Sequence, residues 1–144
     1  MATPRVSERE GTPAGLLRRL AAMVYDGLLV LALWLITLLA MVVANGGEAV
    51  FGALVQTTLF LEAFVFFAWF WLRAGQTAGM RAWRLRLVSN DGGGITLHQA
   101  TVRFFAALIA LGALGLGYWW ALFDRQNRTW PDLWSGSRVL YRSD

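Results

Sequence analysis

The stretch that decides the fold is LLRRLAAMVYDGLLVLALWLITLLAMVVA, residues Leu16–Ala44. A run of about 18 or more apolar residues is long enough to cross the hydrocarbon core of a membrane as a helix. The charged residues in this run are Arg18, Arg19 and Asp26. A carboxylate inside a membrane helix costs at least about 2.5 kcal/mol on insertion scales, so Asp26 is expected to face protein or water rather than lipid. Arg19 and Asp26 are seven residues apart and share one helix face. The stretch therefore predicts a membrane helix with an internal charged site.

The composition of the whole chain agrees with a membrane protein. Of its 144 residues, 57% are hydrophobic and 15% are charged, which is too apolar for an ordinary soluble domain. We expect a flexible N-terminal tail over residues 1–15 and a single membrane domain over residues 16–144. The thirteen basic residues are arginines that flank apolar segments instead of forming one basic face, which argues against nucleic acid as a partner. The lack of cysteine and the single His98 exclude disulfides and thiolate or histidine metal clusters, so no cofactor is expected.

The apolar segments lie at about residues 20–44, 50–72 and 104–123. A short turn joins the first two, which are therefore predicted to form an antiparallel transmembrane helical hairpin. The third segment is broken by Gly112, Gly115 and Gly117, which suits either a close contact between helices or the apex of a re-entrant loop. The predicted fold is an all-α integral membrane protein, with two spans and this third Gly-rich helix.

The loop between the second and third segments has a different pattern. Arginines alternate with Trp83, Leu85 and Leu87, and this period of two is typical of a strand. After a glycine-rich turn, Ile95-Thr96-Leu97 is predicted to return as a second strand, giving a short amphipathic β-hairpin-like cytoplasmic loop. The alternative is an irregular loop with an amphipathic patch. The residues expected to contact anionic lipid headgroups are Arg81, Trp83, Arg84 and Arg86.

The distribution of arginine predicts the orientation. Arginines precede the first segment and fill the long loop but are missing from the first turn, so the N-terminus and the loop are placed in the cytoplasm. The expected location is the bacterial cytoplasmic (inner) membrane. A third segment that spans would leave four arginines of the tail outside, whereas a re-entrant segment would keep all thirteen inside. The segment's length favours the span and the charge favours re-entry, with a narrow preference for the span.

Two acids lie within the apolar segments. Asp26 is either a proton- or cation-binding carboxylate or the partner of Arg19 or Arg18 in a structural ion pair, because a nearby arginine would keep it ionised. Glu62 lies near the centre of the second segment. It is either a functional intramembrane acid or a protonated side chain that is hydrogen-bonded across helices.

The C-terminal tail adds further charged candidates. Asp124, Arg128 and Asp132 recur every four residues, which on a helix would form a surface ladder. Pro131 is costly in a helix interior unless it begins a new helix. The alternative is that Asp132 joins Arg19 and Asp26 in one charged cluster at the cytoplasmic edge, which requires the tail to be cytoplasmic. The complete set of candidates for an ion site is Arg19, Asp26, Glu62, Arg128 and Asp132.

Three motifs resemble those of the RDD family of small integral membrane proteins. They are Arg19-x-x-Ala22-x-x-x-Asp26; Gly75-Gln76-Thr77-Ala78-Gly79-Met80-Arg81 followed by Leu85-Arg86-Leu87-Val88; and Arg128-x-x-x-Asp132 followed by Ser135-Gly136-Ser137. They occur in the family's order, and the name-giving residues would be Arg19, Asp26 and Asp132. The departures from the family pattern are Met80 in place of the usual basic residue, Pro131 before the second aspartate, and Ser135 and Ser137 in place of alanine and threonine. The resemblance implies transport, with cation/proton exchange of the kind proposed for some members.

Two functions remain open on the sequence. The first is an oligomeric transporter of protons or monovalent cations that uses Asp26 and Glu62; two or three spans are too few to enclose a path without a homo-oligomer or a larger membrane complex. The second is an accessory or scaffold subunit, or a lipid-interacting protein. The sequence shows neither a Ser-His-Asp arrangement nor a close carboxylate pair, so an enzyme is not expected.

Overall fold

The computed structural model describes residues 11–142. The helices are α1 (Leu16–Ala44), α2 (Ala53–Ala74), α3 (Ala78–Ala82), α4 (Leu97–Gly112), α5 (Leu116–Trp119) and α6 (Trp130–Ser135), and the strands are β1 (Thr12–Pro13), β2 (Leu85–Ser89) and β3 (Ser137–Tyr141). A 3-10 turn, Trp120–Leu122, follows α5. The expectation of an all-α protein is therefore wrong in one respect, because the three strands form a small sheet.

The two long helices confirm the first two apolar segments. Both α1 and α2 are long and apolar enough to cross a membrane. The turn between them is short, so the helices run antiparallel, and the indole nitrogen of Trp34 donates to the carbonyl of Leu59 at 2.9 Å across the pair. Only 6% of the most apolar stretch of α1 and 11% of that of α2 are buried. Most of their apolar surface is therefore available to lipid or to other membrane helices.

The third apolar segment is bent instead of straight. Helix α4 begins at Leu97, seven residues before the predicted start, because Thr96 and Gln99 form a capping box. The helix ends at Gly112, and α5 continues at an angle of 105°. The break requires positive φ at two successive residues, 60° at Leu114 and 78° at Gly115. Glycine adopts this conformation without a steric penalty, which explains its position at the bend.

The sheet brings distant parts of the chain to one end of the helices. Its order is β1-β3-β2, and both pairings are antiparallel. Strand β1 precedes α1, β2 follows α2, and β3 follows the bent α4–α5 segment. The bent segment therefore begins and ends on the same side of the bundle, which matches the re-entrant alternative better than a crossing.

The predicted hairpin within the long loop is wrong. Residues Leu85–Ser89 do form a strand, with Leu85 and Leu87 buried and Arg86 exposed as the alternation predicted. The partner of this strand, however, is β3 in the C-terminal tail. Ile95 is buried in the core, and Leu97 begins α4. Arg81 lies in the short helix α3, so the alternation holds only from Leu85 onward.

Part of the predicted N-terminal tail is ordered. Residues 1–10 of that tail lie outside the described part of the chain. Thr12 and Pro13, in contrast, pair with Tyr141 and Leu140 of β3, and the amide of Ala14 donates to the carbonyl of Val139 at 3.1 Å. This pairing was not predicted from the sequence, because β3 supplies hydrogen-bond partners that local sequence does not reveal.

The main core lies between the helices and the inner face of the sheet. Its buried members come from α1, α2, α3, α4, β2, β3 and the connecting segments: Ala14, Ala22, Val30, Ala63, Ala68, Trp71, Met80, Leu85, Leu87, Ile95, Ala100, Phe104 and Val139. Many of them are alanine, which lets the backbones approach closely, as is common where membrane helices pack. This close approach places charged side chains from several elements next to one another.

Candidate functional site

Asp132 is the centre of a buried ion cluster. Its Oδ2 accepts from Nη1 of Arg19 at 2.7 Å, and its Oδ1 accepts from Nη1 of Arg103 at 2.6 Å. The carboxylate is fully buried, and Arg19 is only 5% exposed. Charge-assisted hydrogen bonds of this length are among the strongest in proteins. One aspartate thus neutralises part of the charge of two arginines that come from α1 and α4.

The start of α6 places the Asp132 carboxylate. Thr129 precedes the helix, and its amide donates to Oδ2 of Asp132 at 3.2 Å. Pro131 lies in the first turn, where proline's missing N–H and fixed φ are tolerated. Pro131 therefore lies at the beginning of a new helix, which is the position where the sequence predicts that a proline is tolerated. An acid in the first turn is also favoured by the partial positive charge of the helix N-terminus.

The two arginines make further bonds that fix the cluster. Nε of Arg19 donates to the carbonyl of Ala14 at 3.3 Å, and its Nη2 donates to the carbonyl of Asn127 at 2.9 Å. Nη1 of Arg103 also donates to Oγ of Ser137 at 3.2 Å. The cluster consequently joins the N-terminal strand, α1, α4, α6 and β3 in one hydrogen-bonded network.

The electrostatics of the cluster favour the ionised form of Asp132. Burial alone would raise the pKa of this carboxyl, but Arg103 and Arg19 outweigh that effect and hold the pKa below its ordinary value. The carboxylate is therefore charged at neutral pH, and the cluster carries one net positive charge. Because both its oxygens are already occupied, it offers no open position for a solute ion.

Asp26 forms a second and separate buried site. Oδ2 accepts from Oγ1 of Thr77, and Oδ1 accepts from the amide of Gly79 at 2.8 Å. The residue is 3% exposed. The expected ion pair with Arg19 or Arg18 is wrong, because Arg19 binds Asp132 and the guanidinium of Arg18 lies 4.0 Å from the centre of the Tyr141 ring.

The predicted three-residue cluster is therefore only partly correct. Arg19 and Asp132 do meet, but Asp26 lies two turns further along α1, about 10 Å at 1.5 Å per residue. Each of the two positions on this face of α1 holds a different segment of the chain. Arg19 holds the C-terminal tail and Asp26 holds α3.

Gly79 allows α3 to lie directly on α1. A Cβ atom added at Gly79 would be 2.2 Å from the carbonyl oxygen of Ala22 and 3.0 Å from Cγ of Asp26. Thr77 also caps α3, because its hydroxyl accepts from the amide of Met80 at 3.2 Å. The Gly75–Arg81 motif thus supplies both donors to Asp26 and the close approach that brings them within reach.

Glu62 has a free hydrogen-bonding position. Oγ1 of Thr37 donates to Oε1 of Glu62 at 2.5 Å. Among the described residues, Oε2 is buried and has no hydrogen-bond partner. The side chain borders an open groove of about 550 Å³ on the helix pair, otherwise lined by Leu33, Thr58, Leu61, Val65, Phe66, Trp69 and Phe70. This is the acid with unused bonding capacity in an apolar setting.

Arg128 does not belong to the buried cluster. It forms a surface ion pair with Asp124, with Nε 2.9 Å from Oδ2, and this bond holds the pKa of Asp124 at about 2. The predicted four-residue spacing therefore gives one pair, but Asp132 faces away toward Arg19 and Arg103. The ladder does not form because the helix begins only after Thr129.

The sequence interpretation missed Arg103 and Thr77 as site residues. Arg103 was assigned to the loop because α4 was expected to begin at Phe104. The Thr96-x-x-Gln99 capping signal could have moved the start to Leu97 and placed Arg103 on the helix. Thr77 carries no such local signal, since its role depends on contact with α1. Within residues 11–142, no group of three or more metal-binding side chains lies together.

The comparisons with known proteins agree with the motifs. No curated protein and no solved structure matches the chain. The family model that matches is that of the RDD family, over residues 13–136. That span includes both buried carboxylate sites and the apolar segments. The chain therefore belongs to the RDD family.

Proposed function

We propose that this RDD-family membrane protein acts as a homo-oligomer that carries protons or monovalent cations, with Glu62 as the exchanging carboxyl. The observation that carries the proposal is the buried Oε2 of Glu62, which has no hydrogen-bond partner among residues 11–142. An ionisable side chain near the middle of a membrane helix has a free-energy cost, so such a residue is a functional candidate by default. A proton on Oε2, or a small cation bound beside it, would provide the partner that this buried oxygen does not have among the described residues.

The neighbourhood of Glu62 supports this role. The residue lies near the centre of α2, and its other oxygen is already held by the Thr37 hydroxyl. Hydroxyl and carboxylate oxygens together suit both a transferable proton and a hard cation. Thr58, one turn earlier on α2, borders the same groove and offers another oxygen.

The other two acids are better suited to structural roles. Both oxygens of Asp26 accept hydrogen bonds, and both oxygens of Asp132 lie in ion pairs. A transported ion would have to displace donors from a closed, buried contact at either position. The transport hypothesis from the sequence used both Asp26 and Glu62, and the exchanging role is therefore proposed here for Glu62 alone.

An oligomer is proposed because the groove at Glu62 is open. A pair of antiparallel helices and a re-entrant segment do not surround a path. Their outward surfaces are apolar and largely uncovered, with Leu28, Leu35 and Leu39 of α1 at least 59% exposed. A second copy packed over α1 and α2 would close the groove and shield Glu62 from lipid.

The proposed orientation places the sheet in the cytoplasm of a bacterial cell. The arginines within residues 11–142 lie in segments next to the sheet end of the helices, and Arg5 and Arg9 precede these segments in the sequence. The turn over residues 45–52 at the other end of α1 and α2 contains no arginine. Positive-inside reasoning then assigns that end to the cytoplasmic face. Both the N-terminal strand and the C-terminal strand would be cytoplasmic.

The test is ion flux in proteoliposomes with an internal pH-sensitive dye. The purified protein should dissipate an imposed sodium, potassium or proton gradient, and Glu62→Gln should abolish the flux because glutamine keeps the shape but does not ionise. Glu48→Gln is the matched control, since Glu48 is exposed in the first turn. Flux that is equal in Glu62→Gln and the unmodified protein would remove Glu62 from the mechanism.

The accessory-subunit function has one observation in its favour. Asp26 and Asp132, two of the family's name-giving residues, are fully engaged in holding the chain together. An accessory protein would show no intrinsic flux and would co-purify with one membrane partner through its exposed α1 surface. Flux from the purified protein alone, abolished in Glu62→Gln, would exclude this second function as a sufficient account.

A further inference from the structure

We propose that the cleft between the end of α2 and the turn after β2 binds a phosphate-bearing anion. The cleft has a volume of about 300 Å³ and is lined by three arginines, Arg73, Arg86 and Arg142. None of the described residues that line it is acidic. The site is separate from both buried carboxylates and from Glu62, so the proposal does not depend on transport.

The arginines come from three different segments. Arg73 lies in the last turn of α2, Arg86 lies on β2, and Arg142 follows β3. The fold thus gathers three cations that are distant in sequence around one cavity. Planar guanidinium groups bind phosphate oxygens through paired hydrogen bonds, which a lysine does not reproduce. The C-terminal end of α2 adds about half a negative charge, which three guanidiniums exceed.

Two of the side chains are placed for this role. The guanidinium of Arg73 lies 4.6 Å from the centre of the Trp69 ring, which restricts its position beside the cleft. Arg86 is an outward residue of β2 and is exposed. A guanidinium that is exposed and aligned over a cleft costs little desolvation before it meets an anion.

The walls of the cleft are backbone at two places. Gly75 ends α2 with φ of 65°, and a Cβ added there would lie 2.9 Å from the carbonyl oxygen of Leu87 and 3.8 Å from Nε of Arg86. The amide of Leu87 donates to the carbonyl of Gly75 at 2.6 Å, which fixes β2 to the end of α2. On the opposite side, Gly92, Gly93 and Gly94 present no side chains. The glycines therefore keep space that larger residues would fill.

The position and the size of the cleft limit the ligand. It lies at the end of a membrane helix, next to Trp69 and Trp71, at the level where aromatic residues meet lipid headgroups. Its volume is at the lower end of the range for small-molecule sites. The shared chemistry is a phosphate group, from either the headgroup of an anionic phospholipid or a free phosphate ion.

Binding is measured on the full chain, purified in a neutral detergent, by titration calorimetry. The probes are short-chain phosphatidic acid and inorganic phosphate, each compared with sodium chloride at equal ionic strength, because exposed charges are screened by salt. The variant Arg86→Gln removes one guanidinium of the cleft. Arg125→Gln is the matched control, because Arg125 is also exposed, does not line the cleft, and its substitution changes the net charge equally.

We expect Arg86→Gln to weaken binding of the probe about tenfold, as one lost charge-assisted contact implies, and Arg125→Gln to change it less than about twofold. Arg73→Gln, on another wall, repeats the test if Arg86→Gln fails to fold. Binding of phosphatidic acid alone would identify a headgroup site, and equal binding of inorganic phosphate would identify a free ion. Equal losses in Arg125→Gln and Arg86→Gln, or no binding of either probe, would overturn the proposal.

Discussion

Replacement of Asp132 by asparagine should strongly destabilise the protein. The substitution keeps the side-chain shape but removes the charge that Arg19 and Arg103 contact at 2.7 and 2.6 Å. It leaves two guanidiniums in a buried space with no counter-charge. Removal of one partner from a buried ion pair costs about 3–5 kcal/mol, which is a large part of a typical total stability of about 5–15 kcal/mol.

The assay is thermal unfolding in detergent, followed by circular dichroism. For a domain of this size, a loss of about 3–5 kcal/mol corresponds to a fall in Tm of about 6–20 °C. Asp124→Asn is the control, because it makes the same chemical change in a surface arginine pair in which Arg128 is 40% exposed, whereas both Asp132 and Arg19 are buried. Its Tm should stay close to that of the unmodified protein. A Tm for Asp132→Asn within the error of the Asp124→Asn value would refute a stabilising role for the cluster.

The same variant predicts how stability depends on pH. The pKa of Asp132 is lowered in the folded protein, with the arginines outweighing burial, whereas an unfolded aspartate titrates near about 3.9. The folded state therefore binds fewer protons, and the stabilisation is complete above the unfolded pKa and lost as pH falls through the folded pKa. The difference in Tm between the unmodified protein and Asp132→Asn should be constant above about pH 5 and shrink below about pH 4. A difference that grows on acidification would contradict this assignment.

Two further predictions concern the packing of α3 and the topology. Gly79→Ala should destabilise the protein by about 1–3 kcal/mol through overpacking, since its Cβ would lie 2.2 Å from the carbonyl oxygen of Ala22. The control Gly27→Ala should not lower Tm, because a Cβ there meets nothing within 4 Å. Equal Tm values for the two variants would show that α3 does not lie on α1. In intact cells, a membrane-impermeant maleimide should label Glu48→Cys but not Gln126→Cys, because Arg19 binds the carbonyl of neighbouring Asn127. Labelling of both would place the tail outside and contradict the re-entrant arrangement.

The sequence was sufficient to predict the long helices because their signal is local. Hydropathy over twenty or more residues does not depend on the rest of the fold, so α1 and α2 were located within a few residues. The strand at Leu85–Ser89 was also visible, since alternation is a property of the strand itself. Its partner was not, because β3 lies some fifty residues away and a strand pattern does not specify which edge it pairs with.

The candidate site was predicted in part for a similar reason. The charge of Asp26 in an apolar run marked it as buried, but its donors, Thr77 and the amide of Gly79, come from a motif fifty residues later. The sequence left Arg19 with two possible partners, Asp26 on the same helix face and Asp132 in the C-terminal tail. The fold decides between these two partners. Asp26 lies two turns from Arg19, about 10 Å along α1, whereas the tail brings Asp132 into direct contact with Arg19. Glu62 was recognisable from depth alone, and its unused oxygen was not.

In the proposed function, the family's signature residues are separate from the carboxyl that would bind an ion. Arg19 and Asp26 lie on one face of α1, and each holds a segment that the chain supplies much later. Sites with every donor and acceptor satisfied stabilise a fold, and opening them leaves buried polar groups without partners, which is costly. Glu62 and the arginine cleft differ, because Glu62 has an unused oxygen and the cleft is an open cavity lined by arginines, among them the exposed Arg86. The function of this chain should therefore be sought at these two places, where binding of an ion or an anion completes an interaction instead of breaking one.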